Sequence, residues 1–391
     1  MKITGVETLV CLAGWRRWAF IKVSTDEGIT GWADCTDSNG SLPGVLATIA
    51  QFGERLVGRD PGPIELIWWD LYRGSRQSAG GVVGKALAAI ENALLDIKGK
   101  ALGVPVAALL GGPVRERIRL YWSHCATTRV RSHQHVGTTP VASLADIACV
   151  AREVTGRGYT GLKTNLIIPG MPATVVAQGF GGGEGSADRN AEGKIIAAAE
   201  SVIGTFREAV GETVEIMLDI NMHFRREGNR QLARALAPFN LAWLEVDTDT
   251  PEALHDLRAV ACMPIASGER LTSLAAYKAF LDRGGMDVCL VDPRWVGVAT
   301  AKKIADMAEL FEVNVAPHNH GSPLSTLMCA HFCAAVSNLR IMEYDVDDIA
   351  WRDDTVDHPP TVRDGYMLLP MRPGWGAELN EELIRAHAPT T

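Results

Sequence analysis

The stretch that decides the fold runs from residue 214 to 270: VEIMLDIN (214–221), then AWLEVD (242–247), then MPIASGER (263–270). Each piece is a short apolar run that ends at an acid, Asp219, Glu245 or Glu269. The acids stand 26 and 24 residues apart, which is the length of one strand, one helix and their loops in a repeating β/α unit. In a closed barrel of parallel strands the strand ends converge on one mouth, where catalytic groups gather. Three oxygen ligands meeting there suit a hard divalent ion, Mg²⁺ before Zn²⁺, because no Cys or His shares the spacing.

Working outward, eight strand-like runs follow one another, most of them separated by a helical pattern. They are IRLYWSHC (118–125), YTGLKTNL (159–166), TVEIMLDIN (213–221), AWLEVD (242–247), MPIASGE (263–269), VCLVDP (288–293), VNVAPHN (313–319) and RIMEYD (340–345). Helix starts are signalled by Thr250-Pro251 and by Thr272 ahead of SLAAYKAFLDRGG (273–285), patterns that suit an N-cap and a glycine stop. The expected fold is therefore α/β, a (β/α)₈-type barrel over 114–352. An α+β capping domain precedes it over 1–113, and residues 353–391 are expected to pack back on that cap. In the cap, ITGVETLVCL (3–12) and AFIKVSTDEGITGWAD (19–34) read as a meander, and VVGKALAAIENALLDIKGKALG (82–103) reads as a helix stopped by Gly103.

Length and composition agree. The 391 residues accommodate a barrel of about 250 plus a second domain. A net charge of −8 without a basic stripe excludes nucleic acid as the expected partner. No apolar run reaches about 18 residues, so no membrane span is expected and the cytoplasm is the default location. The eight cysteines form no disulfide framework. Cys329-x-His331-x-Cys333 lies in LSTLMCAHFCAAV (324–336), where it reads as a buried helical face rather than a metal cluster. The glycine-rich insertion IIPGMPATVVAQGFGGGEGSADRN (167–190) lacks a Gly-Lys-Ser/Thr signature, so a loop over the mouth is expected rather than a phosphate cradle.

The later strand ends stay polar: Asp292, His318 and Glu343. An Asp and a His on neighbouring strand ends can pair, the carboxylate fixing the imidazole tautomer. On the second strand, alternation points Lys163 and Asn165 to one side, toward the interior.

The order Lys-x-Asn, Asp, Glu, Glu, Asp, His, Glu resembles the enolase superfamily in its mandelate racemase subgroup, most closely galactonate dehydratase-like members. FIKVSTDEGITGWAD, ALAAIENALLDIKGKALGVPVAALLGG, ASGERL and LLPMRPGWGAEL carry the same resemblance over nearly the whole chain. It implies Mg²⁺ held by Asp219, Glu245 and Glu269, and His318 as the base, oriented by Asp292. Lys163, Asn165 and a protonated Glu343 would polarise the enediolate, and the substrate would be a sugar acid that loses water. A homo-oligomer is also implied. The loop Trp15-Arg16-Arg17-Trp18 would close over the substrate, although exposed arginines are common.

Two departures stand out. Galactonate dehydratases carry a His where this chain has Asn221, so the general acid is either His223 from the loop or His318 acting twice. The acidic-proline pair after the second Glu is Val246-Asp247 here. An epimerase or cycloisomerase using the same enediolate, and a non-catalytic metal-binding barrel, are the alternative readings.

Overall fold

A computed structural model describes residues 1–37, 40–176 and 188–389. The chain opens with an antiparallel meander of β1 (Ile3–Ala13), β2 (Arg16–Thr25) and β3 (Thr30–Asp34), followed by helices α1 (Leu42–Leu56), α2 (Ile64–Ser75) and α3 (Gly81–Leu102). The helix α3 ends as its sequence requires: Gly103 takes φ +68° and its N–H bonds back to Gly99 and Lys100, a left-handed stop that costs glycine little. The meander packs on α3, where Gly31 of β3 stands so close to Ala93 O and Ile97 that no side chain would fit.

Ala13 pairs with Arg16 across the first hairpin, so the connection is only Gly14 and Trp15. The expected four-residue loop at 15–18 is corrected accordingly: Arg16 to Trp18 are strand, and alternation sends their side chains to different places. Trp18 is fully buried against Trp351, with ring centroids 6.1 Å apart, and Arg17 faces solvent. Trp15 is half-buried over Arg16.

The eight expected strands form the barrel: Arg117–Ser123, Gly161–Asn165, Glu215–Asp219, Trp243–Glu245, Ile265–Ser267, Val288–Val291, Asn314–Pro317 and Met342–Asp345. Neighbours in this series from the first to the seventh pair in parallel, and the eighth pairs with the first. Closure between the seventh and eighth uses two backbone bonds of 2.8 Å, Val315 N to Asn338 O and Arg340 N to Val315 O. Side chains of Tyr121, Met217, Trp243, Ala266, Leu290, Ala316 and Ile341 fill the interior, so the barrel is a packed core with its chemistry confined to one end.

Two helix starts differ in detail from the sequence expectation. Ser273, not Thr272, caps the helix Leu274–Arg283, accepting from Ala276 N. Thr272 Oγ1 instead accepts from Gly81 N at 3.2 Å and joins the barrel to the start of α3. Thr250 occupies its cap position without a side-chain hydrogen bond, leaving the first-turn proline to start that helix. His331 is buried within the helix Pro323–Ala335, where Nδ1 accepts from Ala107 N at 3.2 Å and Nε2 faces Trp375 O at 3.1 Å. Both ring nitrogens are thus used in packing.

Beyond the eighth strand, Tyr366–Leu368 pairs antiparallel with the first barrel strand. Trp375 Nε1 then donates to Trp32 O at 2.8 Å, and Lys22 meets Glu381 at 2.6 Å on the meander. Of the glycine-rich insertion, Ile167–Ile168 and Thr174–Val175 form a small ribbon; the covering loop expected there falls largely on 177–187, outside the described residues. Among the described residues, no helix is long and apolar enough to cross a membrane.

Candidate active site

Strand register brings the predicted residues to one level. Asn165 lies beside Asp219, and Asp219 beside Glu245. The Asn165 side-chain amide donates to Asp219 Oδ2 at 3.2 Å, while Asn221 N donates to Oδ1 at 2.8 Å. Asn221 takes φ +46°, a left-handed conformation that Asn tolerates, and its amide also bonds the same Oδ1. It therefore holds the first acid and has no proton to give. Glu269 follows Gly268, whose φ of +122° and distance of 2.7 Å from an added Cβ to Leu290 O admit only glycine. That turn aims Glu269 away from its strand.

The structure adds a fourth acid. Asp247, which the sequence leaves unassigned, is buried and shares a hydrogen bond with Glu269. Burial and then the charge of Asp219 push its carboxyl up to about 6. Burial, Asp247 and Asp219 raise Glu269, and burial with Asp219 raises Glu245 against the pull of Lys163. Four acids so placed carry more negative charge than the neighbouring cation neutralises. An all-oxygen donor set of this kind suits a hard divalent cation, which Asp219, Glu245 and Glu269 could hold.

Lys163 bridges the acids to the eighth strand. Its Nζ lies 3.0 Å from Glu245 Oε2, 2.9 Å from Glu343 Oε1 and 4.0 Å from Asp219 Oδ2. Burial opposes its charge, but Glu245 and Glu343 hold it well above the ordinary lysine value, so it is an ammonium donor. Glu343 also accepts from Ser123 Oγ at 2.5 Å and from Asn319 N at 2.7 Å. Although burial raises its pKa, Lys163 and then His318 hold it well below the usual carboxylate range. The expectation of a protonated Glu343 is thus corrected: three donors converge on its carboxylate, which favours the ionised, accepting form.

The expected His–Asp pair is present. His318 Nδ1 lies 2.7 Å from Asp292 Oδ2, and Nε2 lies 3.5 Å from Glu269 Oε2, facing the acids. Asp292 also caps the short helix Pro293–Val296 through Arg294 N and pairs with the Arg294 guanidinium at 2.6 Å. Against burial, Arg294 and His318 bring its carboxyl down to about 2. Burial lowers His318, but Asp292 and Glu343 raise it overall above its ordinary value. Trp295, its ring 5.2 Å from that of His318, walls the other side.

His223, in the turn after Asp219, is buried, its N–H bonded to Ile220 O at 3.1 Å and its ring 6.2 Å from that of Phe224. Arg16 reaches the mouth but stays behind Asp345, its Nη1 3.8 Å from Oδ2. Sequence reading passes over Asp345 and His124 and takes His320 for a loop residue rather than a second base. Only the two-residue offsets from Glu343 and His318 hinted at these groups.

Fold and site together define a capped (β/α)₈ barrel whose mouth sets an acid cluster opposite a His–Asp dyad. Residues 146–383 match the family described as enolase C-terminal domain-like, and residues 8–111 match the mandelate racemase/muconate lactonizing enzyme N-terminal domain. The chain belongs to the enolase superfamily, in its mandelate racemase subgroup. It is 31% identical over 379 residues to a D-galactonate dehydratase of Ralstonia nicotianae, covering 94% of this chain and 90% of that one. A D-xylonate dehydratase of Haloferax volcanii is 28% identical, covering 99% and 89%. A crystal structure from Burkholderia xenovorans, provisionally named an L-alanine-DL-glutamate epimerase and bound to magnesium and fumarate, superposes with a TM-score of 0.97. It is 40% identical, covering all of this chain and 97% of that one.

Proposed function

We propose that the protein is a Mg²⁺-dependent acid-sugar dehydratase that removes the C2 proton and the 3-hydroxyl of a sugar acid to give a 2-keto-3-deoxy acid. The observation that carries this reading is the 2.7 Å Asp292–His318 pair, which turns His318 Nε2 toward the acids. The dehydratase names of the R. nicotianae and H. volcanii relatives support it. A Lys or His base beside Mg²⁺ is the general pattern of the superfamily.

A divalent cation held by Asp219, Glu245 and Glu269 would offset the charge of a substrate carboxylate and of the enediolate. His318 accepts the C2 proton at Nε2, and ionised Asp292 stabilises the imidazolium through Nδ1. Lys163 donates to the oxygen on which charge develops, and Glu343 keeps the ammonium charged. Protonated His318 is then placed to return its proton to the departing 3-hydroxyl on the same face. Asn165, bonded to Asp219, offers no second base on the opposite side, which counts against an epimerase.

The test is to screen a library of acid sugars with Mg²⁺ and semicarbazide. A 2-keto acid should accumulate from at least one of them. Epimerised or cyclised product with C2 exchange but no keto acid would replace this reading by an isomerase.

A further inference from the structure

At the rim of the mouth, three side chains form a unit that the proposed chemistry leaves unused. Asp345, the last residue of the eighth strand, is paired in register with Ser123 of the first. His124 follows Ser123 with φ +48°, and His320 lies two residues past His318. The two imidazoles bind the one carboxylate: His124 Nδ1 to Asp345 Oδ1 and His320 Nδ1 to Oδ2, each at 2.7 Å. Their ring centroids are 4.7 Å apart. Ser123 Oγ lies 3.2 Å from His124 Nδ1 and 2.5 Å from Glu343 Oε1, so the unit is one side chain away from the Lys163–Glu343 pair.

The tautomers follow from these contacts. Asp345 is nearly fully buried; burial raises its pKa, but the two histidines bring it well below the ordinary value, so it is an ionised acceptor. Each Nδ1 must then carry the hydrogen. Burial drives the pKa of His320 down to about 3, so its ring is neutral. A neutral imidazole with hydrogen on Nδ1 presents Nε2 as a bare acceptor. Among the described residues neither Nε2 has a hydrogen-bond partner, and about a fifth of each side chain remains open, 21% for His124 and 22% for His320. Arg16 does not compete for this opening. Its Nε and Nη1 are shut off from solvent, and its Nη2 pairs with Asp348 at 2.6 Å, so it balances Asp345 from behind.

We propose that His124 and His320, held by Asp345, form a subsite that accepts hydrogen bonds from hydroxyls on the substrate chain beyond C3. This rests on the acid-sugar reading and narrows it to an aldonate rather than an aldarate. A distal carboxylate would bring its lone pairs against the bare Nε2 of His320 and the charge of Asp345, whereas a polyol end supplies the missing donor. The same three groups are the one cluster of close potential metal-ligand atoms among the described residues. A cation there would have to displace both Nδ1–H bonds and sit beside the Arg16 guanidinium, which disfavours it.

The test is calorimetric titration of the Mg²⁺-loaded enzyme with D-galactonate, D-gluconate, D-xylonate, galactarate and hexanoate. Hexanoate has the carboxylate without the hydroxyls. The tightest aldonate should bind at least about tenfold better than hexanoate, the worth of one or two net hydrogen bonds. His124→Phe and His320→Phe keep a ring and remove the acceptor; they should erase most of that preference and leave hexanoate affinity within about twofold. The proposal is overturned if galactarate binds tightest, if no aldonate exceeds hexanoate, or if the preference survives in both variants. A preference that behaves as expected without any keto-acid formation would keep the subsite and remove the dehydratase.

Discussion

Replacing Lys163 by Met should reveal how much the protein depends on one buried cation. Lys163 is 2% exposed and lies 2.9 Å from Glu343 and 3.0 Å from Glu245, so the substitution leaves two buried carboxylates without the cation that lies between them. Breaking a buried ion pair from one side costs about 3–5 kcal/mol. With an unfolding entropy of roughly 2.1 cal/mol/K per residue over the 391 residues, that is a fall of about 4–6 °C in melting temperature. The pH dependence gives the sharper check. In the wild type Glu343 has a depressed folded pKa, so its contribution is present above the unfolded value and lost as pH falls. Without Lys163 the largest charge opposing burial is gone and only His318, His124 and the Ser123 and Asn319 donors remain, so the folded pKa of Glu343 rises and part of the deficit is recovered as the acid protonates. The deficit should therefore be largest near pH 7.5 and shrink toward pH 5. Melts of both proteins in EDTA at the two pH values measure it. A variant as stable as wild type at pH 7.5, or a deficit that grows on acidification, would refute the account of Lys163 as the charge that holds the two acids.

Four further outcomes are expected. His318→Asn should lose at least ~10²-fold in turnover, the low end for general base catalysis, and C2 deuterium exchange followed by NMR should fall in step. EDTA should abolish keto-acid formation, and Asp219→Ala or Glu269→Ala should weaken Mg²⁺ binding in titrations while circular dichroism stays native. His223→Asn should leave both exchange and dehydration nearly unchanged if His318 serves both steps; full exchange with no keto acid would instead make His223 the acid. Gly268→Ala should lower stability by about 1–3 kcal/mol in urea melts, because its φ of +122° is essentially closed to other residues.

The sequence by itself determined the barrel, the cap and the ends of the strands. Asp219, Glu245 and Glu269 recur at the period of a β/α unit, and each closes an apolar run; these are local properties that survive without knowledge of any contact. Asp292 and His318 were legible for the same reason, since both sit at strand ends one unit apart. What could not be read is which charges would face each other. Glu343 was expected to be protonated, but closure of the barrel sets it against Lys163, Ser123 and Asn319 N, and three donors keep it ionised. Asp247 looked like an unexplained replacement until the turn at Gly268 brought Glu269 against it. His124, His320 and Asp345 are up to 221 residues apart and share no spacing, yet they meet because the eighth strand pairs with the first. Periodicity reports which way a side chain points. Its protonation state and partners depend on burial and on charges brought together by closure, and those exist only in the folded chain.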